Sequence, residues 1–249
     1  MAIKNIQTAH LVHDLKNPVN IIESGARSLL EKQARYGALT ASQEKVIRRI
    51  LRSALRIKCL ANSMLEVDMA AAGILNIGKC TLAAILKTAL VEIFDLVDPQ
   101  VAESLVQTTD LAELKDVLQH GGVHLDVEED IFQKTIYADE VKMSLILTNL
   151  LSNAFKYKQK NVFLRCSTDP ETITISVKDD GPGIPEAYHA QVFQQYFQCI
   201  PVEGFPVRGH GLGLAGAQSL AEAMGGGLFL CNSNQGAEFT VRVKTIPPK

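Results

Sequence analysis

The sequence predicts an α+β protein, with an N-terminal two-helix hairpin followed by a domain of helices packed on a mixed or antiparallel sheet. Two observations carry this prediction. Apolar residues recur with helical spacing over residues 3–31 and again from Thr40 to about residue 72. Beyond that point helical segments are mixed with short strands and two glycine-rich loops, which is typical of an α+β layer domain. We expect a helical domain at residues 1–76 and a second domain at 77–249.

The first helix and the start of the second have clear local signals. Pro18 lies inside the first helix and removes one backbone hydrogen bond, which predicts a bend. Thr40 is followed three residues later by Gln43, the spacing of a capping box at a helix start. A lone hairpin cannot bury both of its apolar stripes. Dimerisation into a four-helix bundle would bury them, and so would packing against the rest of the same chain.

The second domain is expected to begin after a linker at residues 73–79. We predict strands at 123–127, 162–166, 173–178, 228–231 and 238–243, and helices at 82–96, 102–119, 140–157, 213–224 and, shorter, around 188–197.

Composition and charge exclude several classes of protein. The chain is 47% hydrophobic and 21% charged, as in ordinary globular proteins. Its net charge of −2 gives no electrostatic reason to expect nucleic acid as a partner. The chain starts without a signal-peptide pattern, and no stretch approaches about 18 uninterrupted apolar residues, so we expect no membrane span. Its five scattered cysteines fit reduced thiols and a cytoplasmic location.

A polar face is predicted on the helix at 140–157. Asn149, Asn153 and Lys156 are spaced four and three residues apart and therefore share one face. An amide oxygen can ligate Mg²⁺, and an ammonium group can neutralise phosphate charge. A solvated polar face is the other interpretation of this pattern.

Two glycine-rich loops follow strands or open a helix. Asp179 directly follows the predicted strand at 173–178 and precedes Gly181 and Gly183, so its carboxylate could accept a hydrogen bond from an amine such as that of adenine. The run from Gly209 through Gly213 opens a helix, a position where backbone N–H groups bind phosphate. This second loop also has glycines with dinucleotide-binding spacing, but the residues before it do not read as a strand.

A histidine on the first helix is followed at once by a carboxylate. Asp14 could take a proton from His13 and so leave a nitrogen nucleophile for a phosphoryl group. Asn17, one turn further on, could position a water molecule. His10 lies on the same helix without a following acid.

These motifs, in this order, resemble those of the histidine-kinase family over nearly the whole chain. His13 to Pro18 is similar to the phosphoacceptor box of the family, and residues 149–157 are similar to its asparagine box. Residues 179–183 and 209–214 are similar to its two glycine boxes, and residues 193–197 to its phenylalanine box. The resemblance implies a GHKL-type α/β sandwich as the ATP-binding domain, with a phosphoacceptor hairpin before it.

The resemblance also implies roles for single residues. His13 would be the phosphoacceptor, Asp14 its general base, and Asn17 a residue for the reverse hydrolysis. Asn153 would hold Mg²⁺. The ATP-binding residues would be Asn149, Asn153, Lys156, Tyr157, Asp179, Gly181, Gly183, Arg208, Gly209, Gly211, Leu212 and Gly213. Expected partners are a second copy of the chain, a response-regulator receiver domain, and a separate sensor protein or domain.

Three departures from the family pattern bear on this expectation. Asp180 replaces the more frequent asparagine and is expected to add negative charge near the nucleotide. His210 replaces a small residue, and residues 98–122 are longer than the usual connection, which predicts an added helical segment. A non-catalytic ATP-binding scaffold and a regulator that acts only as a phosphatase therefore stand as alternatives to an active kinase.

Overall fold

A computed structural model describes residues 2–51, 53–54, 57, 61, 75–199, 211–232 and 235–245, and its description of side chains begins at Asn17. The helices are α1 (Ala2–Glu31), α2 (Gln33–Tyr36), α3 (from residue 41, helical to 51 and at 53, 54, 57 and 61), α4 (Leu82–Val97), α5 (Pro99–Gln107), α6 (Leu111–His120), α7 (Glu129–Phe132), α8 (Glu140–Tyr157) and α9 (Gly213–Ala223). The strands are β1 (Gly78–Thr81), β2 (Val123–Asp126), β3 (Thr135–Ala138), β4 (Val162–Thr168), β5 (Thr172–Asp179), β6 (Gly227–Asn232) and β7 (Ala237–Lys244).

The predicted hairpin is confirmed, including the capping box at its second helix. The Thr40 N–H donates to Oε1 of Gln43 at 2.9 Å, and the Gln43 N–H donates to Oγ1 of Thr40 at 3.3 Å. Gly37, in the turn between the helices, has a φ of +90°. The assigned helix α1 continues through Pro18 without a break. The expected end of the second helix near residue 72 lies outside the described residues.

The hairpin buries one apolar surface and leaves another open. Val19, Ala26, Ala54 and Ala61 are each at most 6% exposed. A second set of large apolar side chains on α1 and α3 is at least 43% exposed: Ile21, Ile22, Val46, Ile50 and Ile57. Burial of this second set needs a surface that one copy of the described chain does not supply.

The second domain is a mixed sheet with its helices on the inner face, which confirms the α+β fold class. The strand order is β2-β4-β5-β7-β6, with β2 and β4 parallel and the other pairs antiparallel. Burial alternates along β4, β5 and β7, as expected for strands with one covered face. The helices α4, α8 and α9 contribute the matching apolar faces of a single core. None of the described helices is long and apolar enough to cross a membrane.

Three predicted elements need correction. The expected linker at 73–79 runs into strand β1, which pairs antiparallel with β3, a strand that the sequence did not reveal. Their sequences, GKCT and TIYA, lack the clear alternation of apolar and polar residues that indicates β2, VHLD.

The predicted helix at 102–119 is two helices, α5 and α6. The Asp110 carboxylate accepts a hydrogen bond from the Glu113 N–H at 2.9 Å and so begins a new helix. Threonine and aspartate bond readily to nearby backbone groups, which favours helix ends over helix interiors. The two helices confirm the prediction of an added helical segment within 98–122.

The short helix predicted around 188–197 is absent in that form. A 3₁₀ turn spans Glu186–Tyr188, and turns and bends continue to Tyr196. Tyr196 has a φ of +66°, a left-handed conformation that does not continue a helix. The tyrosine N–H donates to the Gly211 carbonyl oxygen at 2.7 Å, which joins this segment to the second glycine-rich loop.

Candidate functional site

One pocket gathers most of the residues singled out in the sequence. Eight of the twelve predicted ATP-binding residues line it: Asn149, Asn153, Lys156, Tyr157, Asp179, Gly183, Gly211 and Gly213. The pocket encloses roughly 1060 Å³, part of it open to solvent. It lies between one face of α8, the end of β5, and the N-terminus of α9.

Helix α8 supplies the polar wall. Asp139 caps its first turn by accepting from the Lys142 N–H at 3.1 Å, and the opposite, apolar face of the helix is buried in the core. The Asn149 side-chain amide donates to the Leu145 carbonyl oxygen at 3.1 Å. The Lys156 ammonium lies 4.9 Å from the ring centroid of Tyr157 and also lines the pocket.

Asp179 forms the buried end of strand β5. Its side chain is 4% exposed, and Oδ1 accepts hydrogen bonds from the N–H groups of Gly181 at 2.8 Å and Ala237 at 3.3 Å. Burial raises the pKa of this carboxyl group, and the two backbone donors offset only part of that effect. Both of these hydrogen bonds end on Oδ1, and within the described part of the chain they leave Oδ2 for a donor group in the pocket.

Two glycines allow the walls of the pocket to approach each other. A Cβ atom at Gly213 would lie 2.7 Å from Oδ1 of Asn149. At Gly236, whose φ is +90°, a Cβ atom would lie 1.7 Å from the Asp179 carbonyl oxygen. A larger residue would therefore press on the Asn149 side chain at Gly213 and on the Asp179 backbone at Gly236.

The N-terminus of α9 faces the same space. Gly213 is its first residue and Leu212, its N-cap, has no side-chain hydrogen bond to offer. The first N–H groups of a helix carry partial positive charge and lack partners within the helix. In this 11-residue helix they are available to an anion.

An apolar wall completes the pocket, and the residue patterns did not single out most of its members. The lining residues outside the predicted set are Ser152, Ile184, Val192, Phe197, Gln198, Cys199, Leu214, Ala237 and Phe239. The rings of Phe193 and Phe239 pack edge to face, with centroids 6.2 Å apart. Of the additional lining residues, Ser152, Phe197 and Leu214 fall within runs that resemble boxes of the family. The others belong to none of these boxes, and their place in the wall depends on chain folding.

The remaining predicted site residues lie elsewhere. Gly181 and Leu212 adjoin the pocket without lining it, and Arg208 and Gly209 lie outside the described residues. His13 and Asp14 belong to helix α1, and their side chains also lie outside the description. Asn17 is exposed on α1 and does not contribute to the pocket.

The expectation that Asp180 adds negative charge near the nucleotide stays a prediction. The pKa of Asp179, which lines the pocket, is raised first by burial and in addition by the neighbouring Asp180 carboxylate. The Asp180 side chain does not line the pocket. Its carboxylate instead accepts hydrogen bonds from the backbone N–H groups of Gln159, Lys160 and Asn161. The hydrogen bonds of this carboxylate therefore go to the loop after α8, while its charge still acts on Asp179.

Comparison with known sequences gives two family matches. Residues 3–73 match the family described as His Kinase A (phospho-acceptor) domain. Residues 138–247 match the family described as histidine kinase-, DNA gyrase B-, and HSP90-like ATPase. The chain belongs to the histidine-kinase family. It has the two domains of a sensor histidine kinase catalytic core.

Individual histidine kinases are similar over most of this chain. The circadian input-output histidine kinase CikA of Synechococcus elongatus is 32% identical over 246 residues, which cover 96% of this chain and 30% of that protein. Sensor histidine kinase YkoH of Bacillus subtilis is 30% identical over 214 residues, 86% of this chain and 41% of that protein. The present chain thus spans less than half the length of each of these two relatives.

Solved structures of histidine kinases share the fold. Full-length ShkA in complex with AMPPNP matches 98% of this chain and 46% of that one, with a TM-score of 0.61 and 24% identity. Acinetobacter baumannii histidine kinase AdeS matches 94% of this chain and 98% of that one, with a TM-score of 0.55 and 16% identity. At these identities the likeness concerns the fold.

Proposed function

We propose that this chain binds ATP in the described pocket, transfers its γ-phosphoryl group to His13, and passes the group to an aspartate of a response-regulator receiver domain. The observation that carries the proposal is the pocket itself. It sets a buried carboxylate, Asp179, against a helix face with two asparagines and a lysine and against an uncapped helix N-terminus. This combination suits a ligand with an amine at one end and phosphates at the other.

The adenine end would occupy the part of the pocket beside Asp179. Its exocyclic amine is a donor that matches Oδ2, and its flat apolar faces match Ile184, Val192 and Phe239. A buried carboxylate that bonds a substrate N–H discriminates strongly against ligands without that donor, because the acceptor is then left unpaired. We therefore expect ATP to bind in preference to GTP.

The phosphate end would lie near Lys156 and the N-terminus of α9. A lysine ammonium and free helix N–H groups both neutralise phosphate charge. The side-chain oxygen of Asn153 suits Mg²⁺, a hard cation that takes amide and phosphate oxygens as ligands. When bound, Mg²⁺ would offset the negative charge of the transferring group.

The transfer step would form a bond between an imidazole nitrogen of His13 and the γ-phosphorus while the bond to the β–γ bridging oxygen breaks. ADP leaves with that oxygen, and Asp14 takes the imidazole proton. His13 lies on the hairpin and the nucleotide pocket lies in the other domain, so the two domains must approach each other during the reaction. We retain residues 1–76 and 77–249 as the proposed domain limits.

The open apolar surface of the hairpin supports a homodimer. Its five exposed side chains on α1 and α3 would be covered if two hairpins formed a four-helix bundle.

A separate sensor protein or domain remains a proposed partner, and the cytoplasm, suggested by the cysteine pattern, is the proposed location. Asn17, exposed one turn beyond His13, is the residue that we assign to dephosphorylation of the receiver domain.

The proposal is tested by incubating the purified chain with γ-³²P-ATP and Mg²⁺. We expect acid-labile, alkali-stable label on the wild type and none on His13→Ala or Asp179→Ala. His10→Ala is the matched control, on the same helix, and should keep its label.

Other outcomes would support the alternatives. Nucleotide binding without any label would favour a scaffold. If the chain remained unlabelled but removed phosphate from a phosphorylated receiver domain, a phosphatase would be favoured. Loss of label in His10→Ala rather than His13→Ala would show that His10, and not His13, is the phosphoacceptor.

A further inference from the structure

The Asp180 side chain accepts hydrogen bonds from three successive backbone N–H groups. Its carboxylate accepts from the N–H of Gln159 at 2.7 Å, of Lys160 at 3.0 Å and of Asn161 at 2.9 Å. The Asn161 side-chain amide also donates to it, at 3.3 Å. One side chain thereby satisfies three successive N–H groups of the loop that joins α8 to β4.

This loop directly follows the nucleotide-facing end of α8. Lys156 and Tyr157 are the last pocket residues of that helix, and the helix ends at Tyr157. Helices commonly fray at such ends. The start of β4 is held by the bond from the Val162 N–H to the Gly122 carbonyl oxygen at 2.9 Å, and the Asn161 side chain by His124 at 3.1 Å, but neither bond reaches β5. The bonds to Asp180 anchor the loop to the end of strand β5.

The residues on either side of Asp180 belong to the same contact between the end of α8 and the end of β5. Asp179 lines the pocket, and its Oδ1 accepts from the Gly181 N–H. A Cβ atom at Gly181 would lie 2.2 Å from the Tyr157 carbonyl oxygen, so backbone and helix end are already in close contact. Three consecutive residues therefore connect the amine-binding carboxylate to the helix end that carries the lysine.

We propose that Asp180 is a positioning residue that holds the end of α8 against the end of β5, and that it sets nucleotide affinity more than the rate of phosphoryl transfer. The inference rests on the proposed function, because it assumes that the pocket binds ATP. The affinity depends on the distance between Asp179, on one wall, and Lys156 with Tyr157, on the other. Asp180 fixes that distance without touching the ligand.

The ionisation of the two adjacent carboxylates agrees with separate roles. Burial acts to raise the pKa of Asp180, but its backbone N–H donors together outweigh burial and lower it. The pKa of Asp179, by contrast, is raised by burial. Asp180 is thus an anion held by backbone hydrogen bonds, whereas Asp179 is the carboxylate that lines the pocket and can contact a ligand.

The chain offers a matched control at the opposite end of the β4–β5 hairpin. The Asp169 carboxylate accepts from the N–H of Glu171 at 2.9 Å and of Thr172 at 2.7 Å. Its pKa is likewise lowered, chiefly by hydrogen bonds from Thr172. Asp169→Ala removes the same kind of turn-stabilising carboxylate from the same two strands, but away from the pocket.

The experiment compares Asp180→Ala, Asp180→Asn and Asp169→Ala with wild type. A titration with the fluorescent analogue TNP-ATP gives Kd, autophosphorylation gives KM for ATP and kcat, and thermal unfolding gives Tm. We expect Asp180→Ala to raise Kd and KM about tenfold, the effect of losing hydrogen bonds to a charged group, with kcat within about twofold. Asp180→Asn keeps one acceptor oxygen and should lie between Ala and wild type. Asp169→Ala should lower Tm and leave Kd and KM unchanged.

Each other result contradicts a definite part of the reasoning. Wild-type affinity in Asp180→Ala would refute the positioning role alone, and so would an equal loss of affinity in Asp169→Ala. A fall in kcat with unchanged KM would also refute it. A wild type that binds no nucleotide would refute the proposed function and this inference together. If Asp180→Ala does not fold, the graded loss expected for Asp180→Asn decides the same question.

Discussion

The Asp179→Asn substitution should change ATP affinity and protein stability in opposite directions. Both effects follow from the loss of one buried carboxylate. The amide oxygen can keep the bonds that Oδ1 accepts from Gly181 and Ala237. The amide NH₂ then takes the place of Oδ2 and presents a donor to the donor amine of adenine. A hydrogen bond to a charged group contributes about 1.5–3 kcal/mol. Since about 1.4 kcal/mol corresponds to a tenfold change in Kd, we expect ATP affinity to fall by about 10- to 150-fold.

The same substitution should stabilise the ligand-free protein. Burial raises the pKa of Asp179, which means that its ionised form is disfavoured in the folded state. At neutral pH wild type therefore carries a destabilising charge that the variant lacks. As the pH falls through the raised pKa, Asp179 itself becomes neutral, and the difference in unfolding free energy between the two proteins should shrink.

The assay combines isothermal titration with ATP and urea denaturation of the ligand-free proteins at several pH values. Asp126→Asn is the control, since Asp126 is an exposed carboxylate paired with Arg165, and it should change neither property appreciably. The reasoning is refuted if Asp179→Asn binds ATP like wild type. It is also refuted if the variant is less stable at neutral pH while its far-UV circular dichroism is unchanged.

Three further predictions concern the glycine at the helix start, the buried ion pair and a buried thiol. Gly213→Ala should weaken ATP binding by about tenfold or more in the TNP-ATP titration, because its Cβ would lie 2.7 Å from Oδ1 of Asn149. Asp139→Ala should lower the unfolding free energy measured in urea by about 2–4 kcal/mol, because it removes the carboxylate 3.2 Å from the buried Lys142 ammonium and the acceptor for the Asn76 and Lys142 N–H groups. Burial raises the pKa of Cys166 to about 12, so this thiol should resist iodoacetamide at pH 8 in the native protein and react after unfolding, as mass spectrometry would show.

Each of these predictions has an internal control. Gly25→Ala places a methyl group in open space on α1 and should leave nucleotide affinity unchanged. Asp126→Ala breaks an exposed ion pair and should cost less than about 1 kcal/mol. Cys231 is exposed and should be alkylated in the native protein, so equal rates for Cys166 and Cys231 would contradict the burial argument.

Elements with a long, regular pattern could be predicted from sequence. Helix α8 was predicted with the bounds that the structure has, Glu140–Tyr157, and the structure adds that Asp139 caps its first turn. The start of α3 followed from the capping box at Thr40. Strands β1 and β3 were missed because their short sequences show no clear alternation of polar and apolar residues. Their paired residues are also 54 to 60 positions apart along the chain, from Thr81 with Thr135 to Gly78 with Ala138.

The candidate site divides in the same way. Asn149, Asn153 and Lys156 share a face by helical spacing alone, so the sequence by itself determined that they would lie together. It also determined that Asp179 would end a strand beside two glycines. Contacts between residues that are close in sequence follow from backbone geometry, which a single element imposes.

Only the tertiary structure decided how those groups meet. The placement of Gly236 and Ala237 against Asp179 depends on the pairing of β5 with β7, and the apolar wall depends on how the segment at 186–199 packs over the sheet. The two adjacent carboxylates show the difference most clearly. Asp179 and Asp180 look equivalent in the sequence, yet one is buried in the pocket while the other binds three backbone N–H groups of a distant loop. Their roles differ because burial and hydrogen-bond partners are set by chain segments that the local sequence does not contain.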